Sequence, residues 1–273
     1  MTLFAEFFLA VRPRTTHVLP DSTSRYLHAL VFRLISDSDP KTARRVHASA
    51  QKPFTMSRII GPIEQSNGQL LISEDKVYGV RVTSYDDGVS RAIIETLSSK
   101  YATGEPISLW REDFEVQEFA LASRNGYPAM IESDDIPRTV LDTLGKAPEK
   151  IELSFNSPTA FKKGNSTWLF PEPRTVFQSV IQKFSANGVF ESAEEYLEAA
   201  EAISVQKYHL STSVLRYRDV ALPGFKGTIT YNLSHLSENE RLILASIAYA
   251  ANYTGIGMKT TMGMGQAHMV LAR

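Results

Sequence analysis

Residues 2–36, TLFAEFFLAVRPRTTHVLPDSTSRYLHALVFRLIS, set the first two elements and with them the fold. Residues 2–11 are apolar and aromatic with partial alternation, the pattern of a strand buried mostly on one side. A turn rich in Pro and Thr ends it. Over residues 21–36 the apolar Leu27, Leu30, Val31, Leu34 and Ile35 recur at helical spacing, and residues 21–24 offer N-cap candidates. Working outward, residues 53–60 and 77–84 have strand character, and Ile93, Ile94, Leu97 and Tyr101 carry a second helical pattern. A further strand spans residues 109–122. The order is β-α-β-β-α-β, the split arrangement of a ferredoxin-like domain.

Residues 124–150 are rich in Gly, Pro and Asp and weakly patterned, so the domain junction is expected there. The same order then returns: a strand at 151–160, a helix at 173–184, an acidic helical insert at 192–202, and strands at 203–218 and 226–233. Ser237 with Glu240 forms a capping-box pattern at the head of a helix whose buried stripe is Leu244, Ile247, Ala248 and Ala251. A glycine-rich loop and a last strand at 267–272 follow. The expected fold class is α+β, with two tandem ferredoxin-like (RRM-like) domains at residues 1–125 and 146–273. The halves share element order, not sequence.

Composition agrees. A chain of 273 residues with 43 % apolar residues can fill two cores. Lys plus Arg number 29 against 30 Asp plus Glu, and a net charge of −1 excludes a globally basic nucleic-acid coat and an acidic disordered tail. Any polyanion site must be local. The absence of cysteine excludes a disulfide framework, thiolate zinc, iron–sulfur clusters and a cysteine nucleophile. Glu6 interrupts the first apolar run, and Asn252, Thr254 and two glycines interrupt residues 242–258. Neither a secretory signal nor a bilayer span is expected, so the protein should be cytoplasmic, without a membrane partner.

The strongest local signal is GIGMKTTMGMG at residues 255–265, with Gly255, Gly257, Gly263 and Gly265 between a helix and a strand. Such a loop is expected to expose backbone N–H groups to a phosphate backbone, with Lys259 and Thr260 as further donors. It is not a P-loop, which runs from strand to helix and needs Gly immediately before Lys. Acidic residues are absent between Asp39 and Glu64, where Lys41, Arg44, Arg45, Lys52 and Arg58 lie, and absent again after Glu240. Two such windows favour a polyanion groove, which Arg25 and Arg174 would extend.

No HExxH or closely spaced histidine pair supports a metal site, and no cofactor is expected. His28 lies about 90° from the centre of its helix's apolar stripe, on the rim, with Arg25 one turn away. His47 stands in the first basic window, five residues before Lys52. Two imidazoles beside a phosphodiester suggest acid–base transesterification, with a cation such as Lys52, Arg25 or Arg174 neutralising the phosphate. Tyr26 points about 160° away from His28 on an ideal helix and is set aside. His17, His209, His235 and His268 have no motif context.

At these residues the chain resembles the CRISPR precursor-RNA processing endoribonucleases of the RAMP superfamily, over nearly its whole length. The elements are Tyr26-Leu-His28-Ala, Val46-His47, Lys52-Pro-Phe-Thr-Met-Ser57, Ser157-Pro-Thr-Ala-Phe161, Phe170-Pro-Glu-Pro173, Val176-Phe-Gln-Ser179, Gly224-Phe-Lys-Gly227 and the glycine loop. The resemblance implies tandem ferredoxin-like domains and binding of CRISPR repeat RNA. It also implies metal-independent cleavage by 2′-hydroxyl attack, leaving 2′,3′-cyclic phosphate and 5′-hydroxyl ends. His47 matches the family's histidine after the first helix, and His28 and Lys52 complete the expected set. Further candidate partners are a CRISPR effector complex and a second copy of the chain. The alternative expectation is a non-catalytic RAMP scaffold that holds guide RNA in such a complex.

Overall fold

A computed structural model of the chain describes residues 2–20, 23–66, 68–121, 126–185, 194–217 and 220–271. Strand β1 (Leu3–Pro13) is buried on both faces, not one. Ala5, Phe7, Leu9 and Val11 join the core beneath the amino-terminal helices, while Phe4 joins the other core and stacks on Phe184 at 5.7 Å. Helix α1 (Ser24–Ser38) buries its predicted stripe of Leu27, Leu30, Val31, Leu34 and Ile35. Its N-cap is Thr23, which makes no side-chain capping bond. The candidates Asp21 and Ser22 lie outside the described residues, as do residues 122, 192–193, 218 and 272 at the ends of other expected elements.

After α1 come α2 (Pro40–Ala48), β2 (Phe54–Met56), β3 (Tyr78–Ser84), α3 (Asp87–Thr103) and β4 (Glu112–Ala120). Their antiparallel sheet has the order β2-β3-β1-β4, the ferredoxin-like arrangement, and Ile107–Leu109 extends it beyond β4. The expected single strand at 109–122 is therefore a hairpin. A three-stranded sheet of His17–Pro20, Gln69–Ile72 and Glu64–Ser66 is an unpredicted addition.

The expected junction is largely structured. Met130–Glu132 pairs with Leu3–Ala5 of β1, and α4 (Ile136–Leu144) packs against the last long helix. Then follow β5 (Lys150–Thr159), α5 (Pro173–Ser185), α6 (Glu194–Glu201), β6 (Ser204–Tyr217), β7 (Val220–Asn232), α7 (Glu238–Thr254) and β8 (Ala267–Met269). Their order is β6-β7-β5-β8, the same topology again. Strand β7 begins six residues before the expected 226, because Pro223 lies where β7 pairs with β6 alone and costs no bond to β5.

Helix α7 carries the predicted capping box: Ser237 Oγ accepts from the Glu240 amide, and the Glu240 carboxylate accepts from the Ser237 amide at 2.8 Å. Every residue from Leu244 to Thr254 is buried, because the helix lies between the two halves. Glu6, the anomaly in the first strand, meets it there. Arg81 donates to both Glu6 carboxylate oxygens at 2.7 and 2.8 Å and to the Asn252 carbonyl at 2.8 Å. The Asn252 amide nitrogen donates to Glu6 at 2.9 Å.

Removing one member strands a buried charge, which typically costs about 3–5 kcal/mol. Glu6→Ala should therefore lower the unfolding free energy in urea by about that amount. A loss below about 1 kcal/mol would mean that the halves are held without this network.

Candidate active site

Helix α1 aims His28 and Phe32, one turn apart, at β2, where Phe54 is buried. The His28 ring lies 5.0 Å from Phe32 and 5.6 Å from Phe54. A sharp stop at Asp39-Pro40 then starts α2. Asp39 accepts from the amides of Lys41 and Thr42 at 3.0 and 3.1 Å, and Pro40 fills the first helical turn. The basic window that holds His47, to which the sequence reading gave no element, is thus partly a helix. His47 occupies the last turn of α2, exposed, with its ring edge-on to Phe32 at 5.6 Å. Lys52 closes that helix, donating to the His47 carbonyl at 2.9 Å and to the Ser49 carbonyl. A cation there also meets the negative end of the helix dipole.

The fold therefore gathers His28 and His47 around Phe32, with Lys52 anchored at the end of the helix that carries His47. His28 is half-buried, and its pKa is held below 6.5 chiefly by burial, then by the charges of Lys52 and His47. Its neutral imidazole is favoured at neutral pH. Tyr26 leans on Trp110, away from His28, and Arg25 lies over the Tyr26 ring at 4.4 Å.

Several predicted RNA contacts have other uses. Arg45 grips Asp86, the N-cap of α3, with bonds of 2.9 and 2.7 Å, and Arg174 pairs with Glu201 of α6. Both arginines serve packing between helices, whereas Arg44 is exposed and lines a shallow cavity with His47 and Phe32.

The glycine loop is not an open cradle. The amides of Gly255, Ile256, Met258 and Gly265 donate to the carbonyls of Ala251, Gly265, Ala160 and Pro158, and that of Gly257 to Ser179. Its glycines permit this close folding: at Gly265, with φ +68°, a Cβ would stand 2.0 Å from the Ile256 oxygen. What the loop presents is the turn Thr260–Met262, packed against α1 and β2, with Lys259 exposed just before it. Thr260 itself is buried, and Gly263 lies against Arg58. The predicted loop and the predicted imidazoles share one neighbourhood.

A polar cleft of about 420 Å³, unforeseen from the sequence, lies between the halves, with Arg58, Asn156, Ser157, Lys226, Gln266 and His268 in its wall. Among the described residues no three His, Asp or Glu side chains gather to hold a metal ion, and no helix is long and apolar enough to cross a membrane.

Because folding lowers the His28 pKa, the unfolded chain takes up the proton first as pH falls. The associated stability is complete above 6.5 and is lost as pH drops through the lower folded value. In an NMR titration His28 should therefore titrate below 6.5, and Lys52→Met should move that titration upward. An unchanged midpoint would show that the Lys52 charge does not reach the imidazole.

Residues 153–267 match the family model for the CRISPR-associated endoribonuclease Cas6. The Cas6 of Streptococcus thermophilus is 31 % identical over 118 residues, 41 % of this chain and 47 % of the relative. That of Mycobacterium tuberculosis is 29 % identical over 118 residues, covering 42 % and 37 %. The match thus spans less than half the length of these curated relatives. Among solved structures, a Cas6 product complex superposes with a TM-score of 0.76 at 24 % identity, covering 98 % of this chain and 100 % of the other. A Thermus thermophilus Cas6 gives 0.67 at 24 % identity, with coverage of 98 % and 99 %. At that identity the likeness is one of fold. Across its carboxy-terminal half the chain is thus similar in sequence to CRISPR-associated Cas6 endoribonucleases, and across its whole length it shares their tandem fold.

Proposed function

We propose that the chain is an endoribonuclease that cleaves CRISPR precursor transcripts within their repeats, releasing guide RNAs without a metal ion. The observation that carries this reading is the meeting of two imidazoles on Phe32, with the Lys52 ammonium on the His47 carbonyl and the turn of the glycine loop packed on α1 and β2. Relatives named CRISPR-associated endoribonucleases, and a fold shared with Cas6 product and substrate-mimic complexes, support RNA as the substrate.

In the proposed reaction, neutral His28 removes the proton of the ribose 2′-hydroxyl, whose oxygen attacks the adjacent phosphorus. The bond from phosphorus to the 5′-oxygen breaks as His47 protonates that oxygen. The products are a 2′,3′-cyclic phosphate and a 5′-hydroxyl. Lys52 spends two of its three N–H donors on the end of α2 and can turn the third to the phosphate. His28 suits the base role because its surroundings disfavour its cation.

Residues 1–125 would supply this chemistry, and residues 146–273 would hold the strand through the Lys259–Thr260 edge of the loop. Arg25 of α1 and Arg44 of α2 are both exposed and would contact RNA phosphates. The product would pass to a CRISPR effector complex in the cytoplasm.

Incubation with repeat RNA should give cleavage that survives EDTA, with cyclic phosphate at the new 3′ end. Loss in EDTA with rescue by magnesium would refute the metal-free reaction, and binding with no cleavage by the wild type would leave the scaffold reading. His47→Ala should slow single-turnover cleavage by about 10²–10⁴-fold, the usual share of a general acid, with affinity little changed. Lys259→Ala should instead weaken binding and flatten its salt dependence. Equal loss of rate and affinity in the histidine variant would make His47 a binding residue only.

A further inference from the structure

Lys183 sits on the apolar side of α5 among Val176, Phe177, Val180, Ile181 and Phe184, and is only 4 % exposed. A lysine is rarely buried this deeply unless its ammonium is paired. Here it donates to the Thr254 carbonyl at 3.0 Å and to the Gly255 carbonyl at 2.8 Å. These carbonyls stand at the end of α7, where the helix leaves acceptors unsatisfied and its dipole is negative. One turn earlier on α5, Ser179 Oγ accepts from the Gly257 amide at 2.7 Å. A single helix therefore grips three backbone groups within four residues, at the point where α7 becomes the glycine loop.

We infer that Lys183 and Ser179 are positioning residues that set the height at which the turn Thr260–Met262 is presented beside His28. The loop has little freedom left once its first turn is held, because its far end is tied back through Ile256 to Gly265 and Gly265 to Pro158. A displacement of Gly255 or Gly257 must move the turn on α1 and β2. The clamp also reaches the other side of the site: Ser179, Lys183 and Gly257 share a cavity of about 330 Å³ with Gln51, the residue before Lys52. Burial pushes the Lys183 pKa down to about 7, while the two carbonyls at the negative end of α7 favour the ammonium. The inference rests on the proposed function only for its effect on cleavage; the clamp itself can be tested without RNA.

The test compares full-length wild type with Lys183→Met, which keeps the aliphatic stem, and with Ser179→Ala. Hydrogen exchange of residues 255–263 and tryptic cleavage after Lys259 should each speed up by about tenfold, the scale of one net hydrogen bond, while exchange in β1 and β3 stays unchanged. Single-turnover cleavage of repeat RNA at saturation should slow by about tenfold, with a smaller change in affinity. Loop exchange and proteolysis at wild-type rates in a folded variant would overturn the inference, as would a uniform loss of protection across the chain in Ser179→Ala. If Lys183→Met does not fold, Ser179→Ala decides. If wild type neither binds nor cuts repeat RNA, the functional reading fails and the exchange data still judge the clamp.

Discussion

A helix ends with carbonyls that have no further turn to bond, and at the end of α7 these acceptors are taken by side chains from both halves. Arg81 donates to the Asn252 carbonyl, Thr83 to that of Tyr253 at 2.6 Å, and Lys183 to those of Thr254 and Gly255. Three of these bonds come from cations or a charge network, which are stronger than neutral ones and costly to leave unmade in a dry interior. The arrangement ties β3 of one half and α5 of the other to the same stretch of backbone. It also fixes where the glycine loop departs, and that loop reaches back to α1 and β2. The relation between the halves and the geometry beside His28 therefore rest on one set of acceptors.

The balance of charge takes on meaning from this pairing. A net charge of −1 leaves no general attraction for a polyanion, so any attraction depends on which cations the protein has not already used. Arg81 is held by Glu6, Arg45 by Asp86 and Arg174 by Glu201. Lys52 is different, because carbonyl dipoles and not a carboxylate hold it, and its full charge remains to act on its surroundings. That charge reinforces burial, the main cause, in lowering the His28 pKa, and the same field would favour a phosphate. One arrangement thus disfavours the imidazolium and would also favour an anion beside it.

How much of this was readable in the sequence depended on the size of each signal. The long amphipathic helices and the Ser237–Glu240 cap stood out, since each combines several residues that agree. The rim position of His28 followed from counting 100° per residue, and the half-buried ring fits it. Helix α2 was missed because nine residues with Ala43 and Val46 as their only buried apolar side chains make a faint stripe. The readable mark was Asp39-Pro40, a cap followed by the residue best suited to a first turn. The weak pattern of residues 124–150 hides Met130–Glu132 and Ile136–Leu144, because short elements that add to existing sheets and helices need little periodicity of their own. The ion-pair partners of Arg45 and Arg174 are not legible in the sequence, as Asp86 and Glu201 lie far along the chain from them. Glycine richness was read as open backbone, whereas it permits close approach as readily as exposure.

The two halves use one topology for different ends, and the contrast lies in their first helices. In α1 the departure from a pure apolar stripe is His28 on the rim, where it keeps contact with solvent and with Phe32. In α5 the departure is Lys183 within the stripe, where it must be satisfied by protein. A polar group on the rim remains available for chemistry, while one in the interior must spend its donors on structure. The helix with the exposed departure presents a titratable ring, and the helix with the buried one holds the loop that lies against it. In one β-α-β-β-α-β frame the polar residue stands at the edge of the first helix and in the other it stands within the stripe, and that shift decides which side chain stays titratable at the surface and which is spent on structure.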